Sequence, residues 1–322
     1  MKVLVVGAGA VGSVYAMAAA QGGAEVTFLV KPKYVASLQN GFELYRLTRK
    51  GAIPKPISFK NFKMITDPVD VKKEKWDFVI LAVAANTLRQ GNWLKNLLSA
   101  LSPETAVVCL QSGFENKEWL LSQGGQESQI ISGLIPFSSF HYPLGTQTPK
   151  ETCYGFWVYP LARAQFSGSS PKIKNLVSLL SRGGLASSEV ADLRSEVMIP
   201  DCVLQSVVAG VEKSGWSIEK FLHGENVSLA SRAIQETLAI QSKVYGIANP
   251  AKNPIKRQFT QPWFIRLIVN LAVKLAPFDF EAFLKSHYTK IKPQTTEGFS
   301  HLKSTAQKLG YPMKNIETLT QV

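Results

Sequence analysis

The feature that most constrains the fold is a glycine-rich turn near the start of the chain, "GAGAVG", which follows a short apolar run. The β-branched run at residues 2–6 predicts a buried parallel strand. Residues 10–21 predict a helix that the glycine pair at 22–23 ends. Gly7, Gly9 and Gly12 have the GxGxxG spacing of turns that hold the diphosphate of a dinucleotide. A second strand at residues 24–30 completes a βαβ unit of about 30 residues.

The same letters also resemble a secretory leader, with one lysine, an apolar run and the triplet Ala-Met-Ala at residues 16–18. The three glycines interrupt the apolar region that a leader needs, so we favour the βαβ interpretation. We therefore expect the turn to bind a dinucleotide through Gly7, Ala8, Gly9, Ala10, Val11 and Gly12.

The end of the second strand indicates which nicotinamide cofactor would bind. NAD sites usually carry an acidic residue there, which accepts hydrogen bonds from the ribose hydroxyls. This chain has "FLVKPKY", with Lys31 and Lys33 and no acid. Cations at this position would neutralise a 2′-phosphate, so the sequence favours NADP(H). The alternative is that both lysines are ordinary solvated surface residues.

Further strands are predicted at residues 76–85, 105–113 and 128–137, with a helix over residues 86–101. The carboxyl ends of parallel strands form the ligand crevice, so we expect Ala84 and Ser112 near the cofactor. Residues 138–168 are rich in turns and predict an antiparallel edge.

From about residue 172 the pattern becomes helical, with Pro200 in a position that suits a first helical turn. The predicted fold class is therefore α/β, with a Rossmann-type dinucleotide-binding domain at residues 1–170. An all-helical domain at residues 171–322, for substrate binding or dimerisation, would follow it. Two domains also suit a chain of 322 residues.

The segment 262–278, "PWFIRLIVNLAVKLAPF", is apolar but too short to span a membrane. Arg266, Asn270 and Lys274 recur every fourth residue and form one polar stripe on the predicted helix. A helix of the core or of a homodimer interface is the plainer interpretation, and a helix lying on a membrane surface is the alternative.

Composition excludes several classes of function. The net charge of +13 is divided nearly evenly between residues 1–150 and the remainder, which argues against a nucleic-acid-binding arm and favours small anionic partners. Cys109, Cys153 and Cys202 are odd in number and far apart, and no Cys/His spacing indicates a metal site. We therefore expect no metal, no nucleic acid and a reducing, cytoplasmic location.

Taken together, these motifs resemble the ketopantoate reductases (2-dehydropantoate 2-reductases), which use NADPH. The resemblance covers nearly the whole chain and rests on "GAGAVG", "CLQSG", "ETLAIQSKVYGI" and the C-terminal "TTEGFSHLKSTAQKLGYPMKNIETL". It implies a reductase of a branched 2-oxo acid, in which a lysine protonates the developing alkoxide. Glu297 matches the glutamate that holds the substrate hydroxyl, and Ser286 lies near the position of a substrate-binding serine.

The chain departs from this family where the lysine belongs. Two alignment frames place Pro200 or Asp201 at its position, and the asparagine four residues later becomes Leu204 or Gln205. A second family lysine, at the end of a strand, falls on Ala84. The sequence therefore supports an NADPH-dependent reductase of a 2-oxo acid, with a catalytically inactive NADP(H)-binding sensor or scaffold as the alternative. A third interpretation, an anion-binding or membrane-surface module, rests on the charge and on residues 262–278.

Overall fold

The computed structural model of the protein describes residues 1–111, 115–146 and 150–321. The chain forms two compact units, one of Met1–Thr48 with Ala52–Leu193 and the other of Arg49–Gly51 with Arg194–Val322. The first unit is a mixed α/β domain and the second is helical, which confirms the predicted fold class. The boundary lies after Leu193, whereas the sequence places it between residues 170 and 171.

The first unit contains two sheets. Its strands are β1 (Lys2–Val6), β2 (Glu25–Leu29), β3 (Phe42–Arg46), β4 (Pro56–Phe59), β5 (Lys63–Ile65), β6 (Phe78–Leu81), β7 (Ala106–Cys109), β8 (Ile130–Gly133), β9 (Phe137–His141), β10 (Cys153–Val158), β11 (Ala164–Gly168) and β12 (Ser187–Glu189). Its helices are α1 (Ala10–Gln21), α2 (Val35–Leu38), α3 (Ala85–Leu88), α4 (Trp93–Ser99), α5 (Glu115–Ser122) and α6 (Ile173–Arg182).

The larger sheet has the strand order β12-β11-β8-β7-β6-β1-β2-β5. All neighbouring pairs are parallel except β8 with β11. Strand β1 is almost completely buried, as its β-branched sequence predicts. The chain runs from β1 to β2 on one side and later returns to β6 on the other. The point between β1 and β6 is therefore the topological switch point, where doubly wound sheets bind ligands.

The smaller sheet, of order β4-β3-β10-β9, is not predicted by the sequence. Strands β9 and β10 form an antiparallel pair within the turn-rich region, and β10 pairs in parallel with β3. Aromatic rings fill the space beneath it: Phe42 lies 5.5 Å from Phe28 and 6.1 Å from Phe59, between ring centroids. Among the described residues of the region 138–168, those of β11 alone join the larger sheet, where β11 pairs antiparallel with β8.

Helix α6 and strand β12 belong to the first unit because they complete its sheet and cover α1. Strand β12 pairs with β11, and a side chain at Gly22 or Gly183 would overlap the backbone of the opposite helix. The Arg182 guanidinium also donates to the Gly22 carbonyl oxygen over 3.2 Å. These contacts explain why the boundary follows β12.

The helix predicted over residues 86–101 is wrong as one element. Helix α3 ends at Leu88, and α4 begins only at Trp93. Gly91 between them has a φ of +65°, a left-handed conformation that interrupts a helix.

The second unit is built around one long helix. Its helices are α7 (Leu193–Lys213, which begins at the last residue of the first unit), α8 (Ile218–His223), α9 (Asn226–Tyr245), α10 (Pro254–Gln258), α11 (Pro262–Leu275), α12 (Phe280–Lys290), α13 (Lys292–Leu309) and α14 (Lys314–Thr320). Helix α9 packs against α8, α11, α13 and α14. Its apolar residues at spacings of three and four, such as Val227, Ile234 and Leu238, are completely buried. Gly246, with a φ of +64°, ends it.

The sequence suggested that Pro200 lies in the first turn of a helix. In the structure it lies inside α7 instead. Proline lacks the N–H that would bond the carbonyl of Glu196, so the helix runs through Pro200 without that bond. Pro200 itself is exposed.

Candidate dinucleotide and substrate site

The glycine turn between β1 and α1 has the conformation that close approach of a diphosphate requires. Gly7 has a φ of +101°, and its N–H donates to the Leu29 carbonyl oxygen over 3.2 Å. A Cβ at Gly7 would lie 2.8 Å from the Val83 side chain, so a larger residue would not fit. The turn is therefore held between the carboxyl ends of β2 and β6.

Gly9 and Gly12 are small for different reasons. A Cβ at Gly12 would overlap the Gly7 carbonyl oxygen and lie 3.2 Å from the Ala82 Cβ, so this glycine allows α1 to pack on the turn. A Cβ at Gly9 would meet nothing within 4 Å, and Gly9 is exposed. The space that Gly9 leaves is open to solvent, where a ligand would lie.

The first turn of α1 presents free donors to the same space. Gly9 is the N-cap residue, no side chain caps the helix, and no acidic residue lies in its first turn. The first N–H groups of a helix have no partner within the helix and attract anions. Ala8, Ala10 and Val11 are partly buried around these groups, and they pack against the core. The backbone of residues 7–12 thus forms an anion cradle at the switch point.

Gln111 joins the strand ends beside this cradle, a role that the sequence does not predict. Its side-chain amide donates to the carbonyl oxygens of Leu81 (2.9 Å) and Val83 (2.7 Å), so it joins the end of β7 to that of β6. The Cys109 thiol donates to its amide oxygen. The only signal in the sequence was its place directly after a buried strand in "CLQSG". The predicted cofactor contact Ser112, one residue later, lies outside the described residues.

Helix α3 adds two further polar groups at the carboxyl end of β6. The Asn86 side-chain oxygen is buried and has no hydrogen-bond partner among the described residues. Arg89 donates to the Ala85 carbonyl oxygen (3.2 Å) and to the Asn116 side-chain oxygen (3.0 Å). Ala84, where a family lysine was expected, is exposed and precedes α3. An unpartnered buried acceptor at this edge is suited to an amide donor of a ligand.

Lys31 and Lys33 directly follow the second strand. Both are exposed, and they lie on either side of Pro32 at the start of a short 3₁₀ turn. The Lys33 ammonium lies 4.9 Å from the centroid of the Tyr34 ring, so part of its charge is already engaged. Lys31 is the more available cation for a ligand at the end of β2.

The two substrate residues implied by the resemblance lie in the second unit. Ser286 is on α12 and Glu297 is in the second turn of α13. Both are exposed, and within the described part of the chain neither side chain is engaged in a hydrogen bond. They are thus free to meet a ligand.

The groups that could replace the expected lysine are mostly engaged. Asp201 accepts a hydrogen bond from the Gln205 amide over 2.8 Å, and Lys213 donates to the Gln321 carbonyl oxygen over 2.7 Å. The His287 imidazole packs on the Phe283 ring, with 5.3 Å between the ring centroids. Burial, helped by nearby Lys290, lowers the pKa of His287 to about 4, so its imidazole is neutral at neutral pH.

Residues 1–111, 115–146 and 150–321 contain neither a metal-binding cluster nor a membrane-spanning helix. The described residues contain no group of three His, Cys, Asp or Glu side chains placed to hold a metal ion. Among the same residues, no helix combines the length and apolar character needed to cross a bilayer. Cys109, Cys153 and Cys202 are buried, and none of the three is in a disulfide.

Comparison with solved structures defines the fold. The chain is similar to a PanE/ApbA family ketopantoate reductase from Ralstonia eutropha JMP134 at 16% identity and a TM-score of 0.70, covering 99% of this chain and 96% of that one. It is similar to 2-dehydropantoate 2-reductase from Geobacter metallireducens GS-15 at 18% identity and a TM-score of 0.70, over 99% and 98%. It is also similar to D-mandelate dehydrogenase with NADH and anilino(oxo)acetate at 16% identity and a TM-score of 0.71, over 100% and 96%.

The protein thus has the fold of these solved structures. The sequence itself narrows the class, because residues 3–147 match the family model for ketopantoate reductase PanE/ApbA. Over these residues the chain is therefore similar to the ketopantoate reductase family, which its motifs also resemble. Among curated protein sequences, none matches it significantly.

Proposed function

We propose that the protein is an NADP(H)-dependent oxidoreductase that reduces a 2-oxo acid, with ketopantoate or a relative as substrate. The observation that carries the proposal is the anion cradle of residues 7–12 at the switch point of a ketopantoate reductase-type fold. A structural neighbour binds NADH together with anilino(oxo)acetate, a carboxylate with an adjacent oxo group.

The residues of the first unit suit the dinucleotide. The backbone from Gly7 to Gly12 would hold the diphosphate, and the open side of Gly9 provides the room. Asn86 offers its unpartnered oxygen to an amide. Ser112 is proposed as a further contact. When bound, the nicotinamide supplies the hydride.

Lys31 is proposed to select NADP(H) over NAD(H). It is exposed at the end of β2, where the adenosine ribose lies in Rossmann folds, and its ammonium would pair with the 2′-phosphate. No acidic side chain occurs in "FLVKPKY" to accept bonds from an unphosphorylated ribose.

The second unit is proposed to bind the substrate. Glu297 would accept a hydrogen bond from the hydroxyl of the substrate, and Ser286 would donate a hydrogen bond to the substrate. Reduction of a ketone leaves an alkoxide that must be protonated. Pro200 has no proton to give, Asp201 is an acceptor when ionised, and His287 is neutral at neutral pH. The proton donor therefore differs from the lysine of the family.

These same departures favour a second candidate function, a catalytically inactive NADP(H)-binding homologue that acts as a sensor or scaffold. Helix α7 carries Pro200 and Asp201 at the lysine position, and Asp201 is bonded to Gln205. The cradle would bind the cofactor equally well in either case.

One experiment separates the two functions. NADPH binding is measured by calorimetry, and turnover is followed as loss of NADPH absorbance with a panel of 2-oxo acids that includes ketopantoate. We expect Glu297→Ala to lower kcat/KM about 10- to 100-fold, because a charged hydrogen bond is lost in the transition state, without changing the Kd for NADPH. Glu219→Ala, at an exposed glutamate on α8, is the matched control and keeps full activity.

Binding without turnover of any 2-oxo acid would refute the reductase and leave the inactive homologue. Absence of binding by folded protein would refute both.

A further inference from the structure

An exposed apolar surface runs along α10 and α11 in the second unit. Apolar side chains recur at every fourth residue, and each is between 38% and 75% exposed. We define this exposed apolar row as Ile255, Phe259, Trp263, Leu267, Leu271 and Leu275. Single exposed apolar residues are ordinary, but a continuous row of them marks an interaction surface.

The row is exposed because the opposite face of α11 is already used. Ile265 and Val269 are buried against the unit. The Arg266 guanidinium donates to the Leu222 carbonyl oxygen, at 2.9 Å, which fastens the helix to the end of α8. The expectation of a core helix is therefore met on one face only.

All charged side chains in the segment that carries the row are basic. Residues 237–278 contain no acidic residue and six basic ones. Lys252, Lys256, Arg257 and Lys274 are exposed. The next acids along the chain are engaged, since Asp279 caps α12 and Glu281 accepts the Ile218 N–H. The segment thus combines exposed apolar groups with positive charge that no acid within residues 237–278 offsets.

A concave site lies at one end of the row. It encloses about 590 Å³ and is lined by Lys252, Arg257, Gln258, Gln261 and Trp263 among others. Two cations, two amides and an indole are suited to a phosphate or carboxylate group that is attached to an apolar body.

We propose that α10 and α11 form a peripheral docking surface for an anionic lipid bilayer, an inference that goes beyond the proposed reductase function. The exposed apolar row would enter the boundary between headgroups and acyl chains, with Trp263 at headgroup level. The basic side chains would meet anionic lipid headgroups, one of them in the concave site. Helix α11, with 14 residues, is about 21 Å long and lies along the membrane plane.

Charge distinguishes this occupant from a second copy of the chain. A twofold interface places the same patch on both sides, so the basic residues of one copy would face those of the other. The segment 237–278 has no acid that would compensate them. A negatively charged surface is complementary where a second copy is not.

The test is flotation of the full chain with vesicles, either of phosphatidylcholine alone or with about 30 mol% phosphatidylserine. We expect binding only to the vesicles with phosphatidylserine, weakened by salt. Lys256→Glu with Arg257→Glu should reduce it at least about 25-fold, about fivefold for each basic residue. Lys95→Glu with Lys174→Glu, at exposed lysines of the first unit, changes the net charge equally and should reduce it far less.

The apolar part of the proposal is tested by Trp263→Ser with Leu267→Ser. Its control is Ile53→Ser with Leu161→Ser, at two apolar side chains that are fully exposed elsewhere. We expect loss of vesicle binding only for the first pair, with unchanged thermal melting for both.

Three outcomes would overturn the proposal. They are no binding to vesicles with phosphatidylserine, equal binding to phosphatidylcholine alone, or equal loss in the control variants. Sedimentation velocity identifies the main competing occupant. A dimer that Trp263→Ser with Leu267→Ser converts to monomer, without vesicle binding, would show an interface between copies.

Discussion

Gly9 and Gly12 lie three residues apart in one turn, yet the structure predicts opposite consequences for the same substitution. A Cβ at Gly12 overlaps the Gly7 carbonyl oxygen and lies 3.2 Å from the Gly7 carbonyl carbon, both of them backbone atoms that cannot rotate away. Helix α1 would have to move off the turn. Overpacking of this kind costs about 3 kcal/mol or more, so Gly12→Ala should lower Tm by at least about 6 °C.

Gly9→Ala should leave stability nearly unchanged. The backbone of Gly9, with φ −84° and ψ −171°, is extended and accessible to alanine, and its Cβ would have no neighbour within 4 Å. Alanine is a poorer N-cap residue than glycine, but it also reduces the entropy of the unfolded chain. The two effects nearly cancel, so we expect a change within about 1 kcal/mol.

Cofactor binding should show the reverse order of sensitivity for these variants. The methyl group of Gly9→Ala would occupy the open side of the cradle, where the diphosphate must approach the backbone. We expect it to weaken NADPH binding about 10- to 100-fold, measured by calorimetry at a temperature where thermal melts show both proteins folded. Wild-type affinity in Gly9→Ala would refute the assignment of the cradle. A Gly12→Ala protein as stable as wild type would refute the packing argument.

Three further outcomes are expected. Lys31→Ala should weaken NADPH binding at least about tenfold and leave NADH binding unchanged, with Lys60→Ala as the control; equal losses for both nucleotides would contradict the role of Lys31. Because burial lowers the pKa of His287 to about 4, the free energy of unfolding should fall by about 1–3 kcal/mol as the pH drops from about 6.5 to 4. The urea midpoint of His287→Leu should lack this pH dependence. Parallel pH profiles for the variant and the wild type would contradict the prediction. Glu236 accepts the N–H groups of Asn315 and Ile316 at the start of α14, so Glu236→Ala should cost about 1–3 kcal/mol in chemical denaturation; a change under about 0.5 kcal/mol would count against that cap.

Local sequence was sufficient for the elements that surround the cradle. Strand β1, the glycine turn, α1 and β2 follow one another, and each has its own periodicity or glycine signal. Gly246, at the end of α9, is likewise a local glycine signal. The smaller sheet has no comparable signal, because Cys153 of β10 pairs with Glu43 of β3, far away in sequence. Such a pairing depends on the folded core, so short-range patterns do not predict it.

The residues of the candidate site also differ in whether local sequence predicts them. Spacing alone indicated Gly7, Gly9 and Gly12, because their role is one of backbone geometry. The sequence does not predict Gln111 and Asn86 as site residues. Gln111 matters through its hydrogen bonds to another strand, and Asn86 through a buried oxygen that has no partner among the described residues. Ser286 and Glu297 were placed by resemblance and remain predictions.

The packing of α6 on α1 has a consequence for synthesis of the protein. Gly22 and Arg182, which touch in the folded unit, are 160 residues apart. A ribosome that adds about 5–20 residues per second needs roughly 8–30 s to make the intervening chain. During that interval the alanine-rich surface of α1 faces solvent or a chaperone, and an expressed fragment that stops at residue 170 would leave it uncovered permanently.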